Sequence, residues 1–570
     1  MNTATCALST SQNENPWPPI CTAVAILGGG IAGSWLALKL AKRGVPSLLI
    51  TYQDHDRGGE QGAAIRSVGA INTSLFAKPD LEHYLAHLGM MQNHPCVAWY
   101  QESRVRAEIE VLRQYIELKP IKIGVALANE SGKALIKKLH AEYLALGGTI
   151  LNGWVTRIVA DSQGCRGVQY ERDGRAGKVR AGFITIASGG YAGLFGGSIK
   201  THCHGALLGR FLESGGVAEN LEFIFKHGYG KPDMGELTPT EELPGAEIYD
   251  ANGQHVAWLE QELFNGNGSS NHLQALKHWQ KNTGTSFYVD LRYRALCQSI
   301  RALNEALRSG TAEKISTCEQ QLRAMLHSPE TDARVAAHVV AHSVLDFDAF
   351  TYLKTGYTAP EAGPIHKIRQ IAYFSMGGIA HQDLQTHLPN VFVCGEAMHD
   401  FGANRVGGLP WALYLVCGQI LSDTFAARLN ETTCCLPPDF SLVPGTAAFD
   451  VEILNSVRET LFEHHEAAFE PRASRACIET FRAQRAQLRR RGLHMSDGHA
   501  WLLVAESILA ASLLREESRG CFLRGDAQHR AQYFSPMRTQ VRYDLRNDRA
   551  LAYLTPAQAH PSFTCKGAIS

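Results

Sequence analysis

The stretch Val24-Ala25-Ile26-Leu27-Gly28-Gly29-Gly30-Ile31-Ala32-Gly33 constrains this chain more than any other. An apolar run ends in Gly28-x-Gly30-x-x-Gly33, and a helical pattern follows from Trp35 to Lys42. That order reads as a strand, a tight turn and a helix N-terminus. Gly28 permits the turn, Gly30 lets a pyrophosphate approach the backbone, and Gly33 lets the helix pack close to the strand. The first amides of the helix and its dipole then favour phosphate. A second strand is expected over Ser47 to Thr51, which completes a dinucleotide-binding unit. Where a ribose-binding acid is usual, this strand runs into Thr51-Tyr52-Gln53. Asp54 or Asp56 from the loop, or Thr51 itself, are candidates for that contact, or the adenosine half is held elsewhere. On these residues alone the choice between FAD and NAD stays open.

The chain has 570 residues, too many for one core, so two or three domains are expected. Lys plus Arg and Asp plus Glu are each 55, which argues against a general nucleic-acid or anionic-membrane binder. No uncharged apolar run reaches membrane-spanning length, and the N-terminal residues lack the basic start and apolar core of a signal peptide. A cytoplasmic protein without a membrane span is therefore expected. The 14 cysteines form no CxxC pair and no metal-ligand spacing. Reduced thiols and no metal site are the expectation, and any iron–sulfur centre would sit on another chain.

Residues 20 to about 225 read as alternating strands and helices. An amphipathic helix over Ser131 to Leu146 ends at Gly147-Gly148, and a strand starts at Thr149. Val155 to Asp161 and Gly167 to Arg172 suggest a small meander, and the apolar strand Phe183 to Ala187 runs into Ser188-Gly189-Gly190. Polar helices are expected at 269–282 and 295–328. A second nucleotide-type strand returns at Val391 to Cys394, followed by Gly395-Glu396, and Gly407-Gly408-Leu409-Pro410 opens a helix over 411–427. Residues 447–530 read as helical, with the Arg482–Arg491 run as a solvated face rather than a nucleic-acid patch.

Seven segments in this order resemble the flavoprotein family of succinate dehydrogenase, fumarate reductase, L-aspartate oxidase and adenylylsulfate reductase. Gly69-Ala70-Ile71-Asn72-Thr73-Ser74-Leu75 resembles the flavin-contacting loop, and Ala187-Ser188-Gly189-Gly190-Tyr191 resembles the ATGG strand end. Asn220-Leu221-Glu222-Phe223 with His227 is similar to the family's substrate-site segment, and Thr240-Glu241 with Gly245 to the start of its cap. Met376-Gly377-Gly378-Ile379, then Cys394-Gly395-Glu396-Ala397 with Gly402-Ala403-Asn404-Arg405, and finally Arg515-Glu516-Glu517-Ser518-Arg519-Gly520 complete the match. The similarity covers most of the chain, from about residue 22 to 530.

The resemblance implies an α/β fold with a discontinuous Rossmann-like FAD-binding domain, an inserted α+β capping domain and a C-terminal helical domain. On that reading the FAD-binding domain takes 20–227 and 365–430, the cap 228–364 and the helical domain 447–530. A disordered lead, 1–19, and a C-terminal extension, 531–570, flank them. The resemblance also implies FAD as cofactor, with Gly28, Gly30, Gly33, Thr51, Gly69, Asn72, Ser188, Gly189, Gly395, Glu396, Gly408 and Leu409 around it. Glu396 would reach the adenosine ribose. The position that carries covalent FAD in the dehydrogenases is Ala63 here, so noncovalent FAD is expected; His55 is nearby but out of register.

The family moves a hydride between the flavin and a carbon next to a carboxylate. By resemblance Arg405 is the carboxylate clamp, a role that suits a bidentate and permanently charged fork. His227 is the second carboxylate ligand, Thr240 and Glu241 are polar contacts of the cap, and Tyr373 stands where the family has a substrate histidine. The family's proton-shuttling arginine has no counterpart near Gly268-Ser269-Ser270-Asn271-His272, and Arg292, Arg294 or His272 are the candidates to replace it. Amine oxidation tolerates that loss better than C=C reduction, which needs proton delivery to carbon. An oxidase or dehydrogenase acting on an amino acid or dicarboxylate is the expected activity. Electrons would go to oxygen or to a partner protein. The alternatives are an electron-transfer subunit working with an iron–sulfur partner and an FAD-binding protein that has lost catalysis.

Overall fold

A computed structural model describes residues 17, 19–52, 69–77, 99–121, 123–128, 132–161, 164–196, 198, 200, 202–231, 236–237, 247–265, 287–326, 350–351, 353–354, 356–358, 365–398, 401–403, 405–431, 438–443, 450–465, 468–526 and 537–556. The chain enters through β1 (Ile20–Leu27), the glycine turn, α1 (Ile31–Lys42) and β2 (Ser47–Thr51). The short β3 (Ile71–Asn72), α2 (Glu102–Leu112), β4 (Leu118–Ile121) and β5 (Gly124–Leu127) follow. Then come α3 (Gly132–Ala145), β6 (Thr149–Asn152) and a meander of β7 (Trp154–Asp161), β8 (Gly164–Arg172) and β9 (Arg175–Ile186). β6, β2, β1 and β9 pair in parallel in that order, and β8 and β7 extend the sheet antiparallel beyond β9.

The parallel strands are covered on both faces and so carry continuous apolar runs, Val24 to Leu27 being fully buried. α1 is apolar almost all round, with Trp35, Leu36, Leu38 and Leu40 fully buried. At about 1.5–3 kcal/mol for each large side chain, burial rather than capping holds this helix in place, so its N-terminal amides need no side-chain partner.

The middle of the chain supplies α4 (Ala206–Glu213), β10 (Val217–Glu219), β11 (Ile224–Lys231), β12 (Glu236–Leu237), β13 (Glu247–Asp250), α5 (Ala257–Asn265) and β14 (Phe287–Asp290). Next come α6 (Arg294–Ser309), α7 (Ala312–Met325) and the long β15 (Ile365–Ser375). β11 to β15 form a separate antiparallel sheet in the order β12-β11-β15-β14-β13. Instead of one helix over 295–328 the structure has two, broken at Gly310-Thr311. Gly310 leaves helical geometry at ψ 165, and the Thr311 hydroxyl accepts from the Lys314 amide at 3.3 Å, starting a new helix. The helix expected at 269–282 lies outside the described residues.

The chain then returns to the first sheet. After β16 (Gly378–Ile379), β17 (Val391–Val393) pairs in parallel with β9, and α8 (Leu409–Glu431) packs on α1. A Cβ on Gly418 would sit 2.9 Å from Trp35, so a glycine is what lets these helices approach. α9 (Val451–His465), α10 (Pro471–Arg490) and α11 (Asp497–Leu514) follow, and β18 (Met537–Asp544) and β19 (Arg549–Pro556) form a hairpin that joins β10 through β18. The segment expected as an extension is thus built into a sheet. Among the described residues α11 alone is long and apolar enough to cross a membrane, and 89% of it is buried inside the protein.

The Arg482–Arg491 run is also not simply a solvated face. Arg485 is fully buried and paired with the equally buried Glu506, which also accepts from Arg482 at 2.8 Å, while Arg489 bonds the Tyr543 hydroxyl. The arginines tie α10 to α11 and to the hairpin.

His204 gives the fold a pH dependence. Its Nδ1 accepts the Trp501 indole N–H at 2.9 Å, a bond that requires an unprotonated nitrogen. Burial, with Arg458 and His202 adding to it, pushes its pKa down to about 3. Below the unfolded value of 6.5 the unfolded chain takes up a proton that the native chain refuses. Stability therefore falls as pH drops from that value toward the folded one, by about 2 kcal/mol at pH ~5 from this site. Urea unfolding at mildly acidic and neutral pH checks it. His204→Gln, which keeps an acceptor for Trp501, is expected to flatten the pH dependence; an unchanged slope would refute the assignment.

Candidate functional site

In the β1–α1 turn the Gly28 amide donates to the Ile50 carbonyl at 2.9 Å, and three carbonyls are engaged. The Leu27 carbonyl accepts from Ala187 at 2.9 Å, the Gly30 carbonyl from the Ser34 amide at 2.9 Å, and the Gly29 carbonyl from the Ser34 hydroxyl at 2.9 Å. The amides of Gly29, Gly30, Ile31, Ala32 and Gly33 have no acceptor among the described residues. Gly30 caps α1 without a side chain, and no acid occupies the first turn. Consecutive unengaged amides at a helix start are an anion-binding cradle. Two glycines are sterically required here. Gly28 has φ 120, and a Cβ there would meet the Ala187 carbonyl oxygen at 2.4 Å; on Gly33 it would lie 1.9 Å from the Gly28 oxygen.

The other expected cofactor residues fall in two groups, the first of which lies against this turn. Ser188 and Gly189 follow β9, and Gly395 approaches the first turn of α1 so closely that a Cβ would sit 2.7 Å from the Ala32 Cβ. Thr51 packs against Gly29 and is 7% exposed, and its hydroxyl makes no hydrogen bond among the described residues. Asp54, Asp56, His55 and Ala63 lie outside the described residues. A small cleft with room for about one water molecule is bordered by Ser188, Gly189, Gly190, Gly378, Glu396 and Ala397.

The second group joins β3 to the start of α8. The Asn72 side chain donates to the Gly407 carbonyl at 2.9 Å, and its amide donates to the Gly408 carbonyl at 3.2 Å. Gly69 lies against Leu127 and Trp411, and Leu409 is buried. Asn72 therefore fixes the turn that opens α8.

Glu396 is not presented to open space. One carboxylate oxygen pairs with Lys200 and the other accepts the Ser375 amide at 3.1 Å, with both side chains of the ion pair buried. Lys200 also sits 4.4 Å from the centre of the Phe374 ring. The sequence reading missed Lys200, although a lone lysine in the Gly-rich run Gly196-Gly197-Ser198-Ile199-Lys200 was a visible signal.

Arg405 and Tyr373 are brought together. The guanidinium carbon lies 4.6 Å from the Tyr373 ring centre, 5.6 Å from Phe374 and 5.7 Å from Phe225. These rings come from the paired strands β11 and β15, whose register sets His227 opposite Ile371, two residues from Tyr373. The His227 side chain, Thr240 and Glu241 lie outside the described residues, as do His272 and the Arg294 side chain. Arg292 donates to Asp290 at 2.6 Å and to Glu247 at 3.2 Å, so it is an ion-paired cation beside β13 and β14. Tyr414, buried beside this cluster, has its pKa raised well above the ordinary value, first by burial and then by the Glu396 charge, so its hydroxyl stays neutral.

Glu222, in the segment that resembles the family's substrate site, is an anchor of the chain. It is fully buried, accepts from Arg515 Nε at 2.5 Å and from the Thr539 hydroxyl at 2.7 Å, and so anchors the Asn220–Phe223 segment to the C-terminal part of the chain. Asn220 adopts φ 58, and its side chain accepts from the Thr539 amide at 3.3 Å. Gly520 comes so close to Ala403 that a Cβ would lie 1.9 Å from its carbonyl oxygen, which Cys521 N–H binds at 2.7 Å.

No protein-family model and no curated protein matches this chain. Solved structures do. The E. coli quinol fumarate reductase FrdA superimposes with a TM-score of 0.68 at 17% identity, over 96% of this chain and 98% of that one. The Mycobacterium smegmatis Sdh1 complex gives 0.64 at 15%, over 95% of each chain. Adenylylsulfate reductase from Archaeoglobus fulgidus gives 0.64 at 15%, over 95% and 97%. The chain has the fold of these proteins along nearly its whole length, as the sequence resemblance implied.

Proposed function

We propose that this chain is an FAD-dependent oxidoreductase that oxidises a small carboxylate-bearing substrate. One observation carries the reading. The β1–α1 turn presents five successive amides with no acceptor among the described residues, beside Ser188 and Gly395, and on this reading the Asn72–Gly408 junction, two to three residues after Arg405, belongs to the same site. The donor set fits a dinucleotide: unengaged amides for a pyrophosphate and the buried, unbonded Thr51 hydroxyl for a ribose. The fold shared with FrdA and adenylylsulfate reductase supports FAD as that dinucleotide. The cofactor is held noncovalently on this reading.

Bound FAD would supply a two-electron acceptor for hydride. Arg405, stacked on Tyr373 and Phe374, holds and orients a carboxylate. The resemblance makes His227, Thr240 and Glu241 further substrate contacts on this reading, and the Tyr373 hydroxyl donates a hydrogen bond. Lys200 is ion-paired with Glu396, so the carboxylate contact on this reading falls to Arg405 rather than to Lys200. Glu396 acts through Ser375 and Lys200 and shapes the cleft.

A second reading is supported by the near-complete coverage of FrdA. The chain would then be a flavoprotein subunit that passes electrons to an iron–sulfur partner. Anaerobic addition of amino acids and dicarboxylates to the yellow protein tests both. Bleaching of the flavin band at ~450 nm names the substrate class. Rapid recovery in air then indicates an oxidase, and slow recovery the partner-dependent reading. A colourless protein that takes up no FAD overturns both.

A further inference from the structure

We propose that Ser34 and His140 are the positioning residues that lock the phosphate turn of this chain. The inference rests on the dinucleotide reading of the β1–α1 turn and deepens it. The Ser34 hydroxyl donates to the Gly29 carbonyl at 2.9 Å, and its oxygen lies 2.8 Å from His140 Nε2. The His140 ring also hydrogen-bonds the Gly29 backbone. Both side chains are buried, Ser34 at 1% and His140 at 8% exposure. All these bonds are satisfied when His140 is neutral with its proton on Nε2, and burial lowers the pKa of the ring in that sense.

A buried Ser–His pair between two helices can serve simply to satisfy its own polar atoms. This one converges on a single carbonyl, and that carbonyl belongs to the peptide between the turn glycines. Gly29 and Gly30 have no side chains to resist rotation of their shared peptide. Were that peptide to flip, the Gly29 oxygen would face the anion and the Gly30 amide would turn away from it. Two neighbouring carbonyls of the turn are held by backbone: Leu27 by Ala187 and Gly30 by Ser34. Gly29 alone is held by side chains, one on α1 and one on α3, 106 residues apart in sequence. The lock therefore couples the cradle to the packing of α3, and FAD affinity is where its action appears.

The test is FAD affinity, read by quenching of flavin fluorescence on protein freed of its flavin, with urea unfolding of the same samples as control. Ser34→Ala and His140→Leu are each expected to weaken FAD binding about tenfold, the equivalent of one buried hydrogen bond. His140→Gln, whose amide reaches the place of Nε2, is expected to restore most of the affinity. A merely structural role would move the urea midpoint and show no rescue that is specific to a donor at Nε2. Wild-type affinity in both Ser34→Ala and His140→Leu overturns the proposal while leaving the dinucleotide reading intact. Wild-type protein that takes up no FAD overturns the two together.

Discussion

Arg405→Ala is expected to abolish turnover while the protein stays yellow. The guanidinium sits against Tyr373, Phe374 and Phe225, an aromatic floor that keeps its fork in one plane and limits hydration. A carboxylate docked there gains charge-assisted, bidentate hydrogen bonds that alanine cannot replace. Losing a desolvated contact of this kind costs about 4 kcal/mol, about a thousandfold in kcat/KM. The glycine cradle does not involve Arg405, so flavin absorbance should follow protein concentration as in the wild type. Arg405→Lys keeps the charge without the fork and should recover only a small part of the rate. The assignment fails if Arg405→Ala turns over with wild-type kcat and KM.

Arg515→Met is expected to be the most damaging single change to stability. Arg515 and Glu222 are 2% and 0% exposed, and the guanidinium also donates to the Met537 carbonyl at 3.0 Å and lies 4.6 Å from the Phe223 ring. Removing the cation leaves Glu222 charged inside the core, which costs about 3–5 kcal/mol. The Thr539 bond alone does not offset that. Urea unfolding measures it. A double variant, Arg515→Met with Glu222→Leu, removes the stranded charge and should recover more than half of the loss. If the double variant is as unstable as the sum of its parts, the ion pair is not the cause.

The glycine turn was legible because its chemistry is local. Gly28, Gly30 and Gly33 fall within six residues, and the apolar runs on either side declare strand and helix. The return of the sheet at Val391 was legible for the same reason, as an apolar run followed by Gly-Glu. Arg405 and Tyr373 are 32 residues apart, and only the resemblance brought them into one site; the structure then set them in contact. What could not be read depends on partners distant in sequence. Arg485 looked like surface because an arginine's burial is decided by Glu506, one helix away. The anchoring role of Glu222 could not be read, because Arg515 and Thr539 lie about 300 residues on. The break at Gly310-Thr311 was readable in principle, a glycine followed by a capping threonine, and was passed over because the charged periodicity continues on both sides.

The pairing of β10 with β18 has a consequence for how the molecule is made. β10 leaves the ribosome roughly 320 residues before the strand that covers its edge. At about 5–20 residues per second that is a delay on the order of half a minute. During this interval Asn220 and Glu222 lack the threonine and arginine that hold them, and a hydrogen-bonding edge stands open. The nascent chain therefore carries its β1–α1 turn early and the partners that anchor Asn220–Phe223 late. Translation sets when this segment is first held in place.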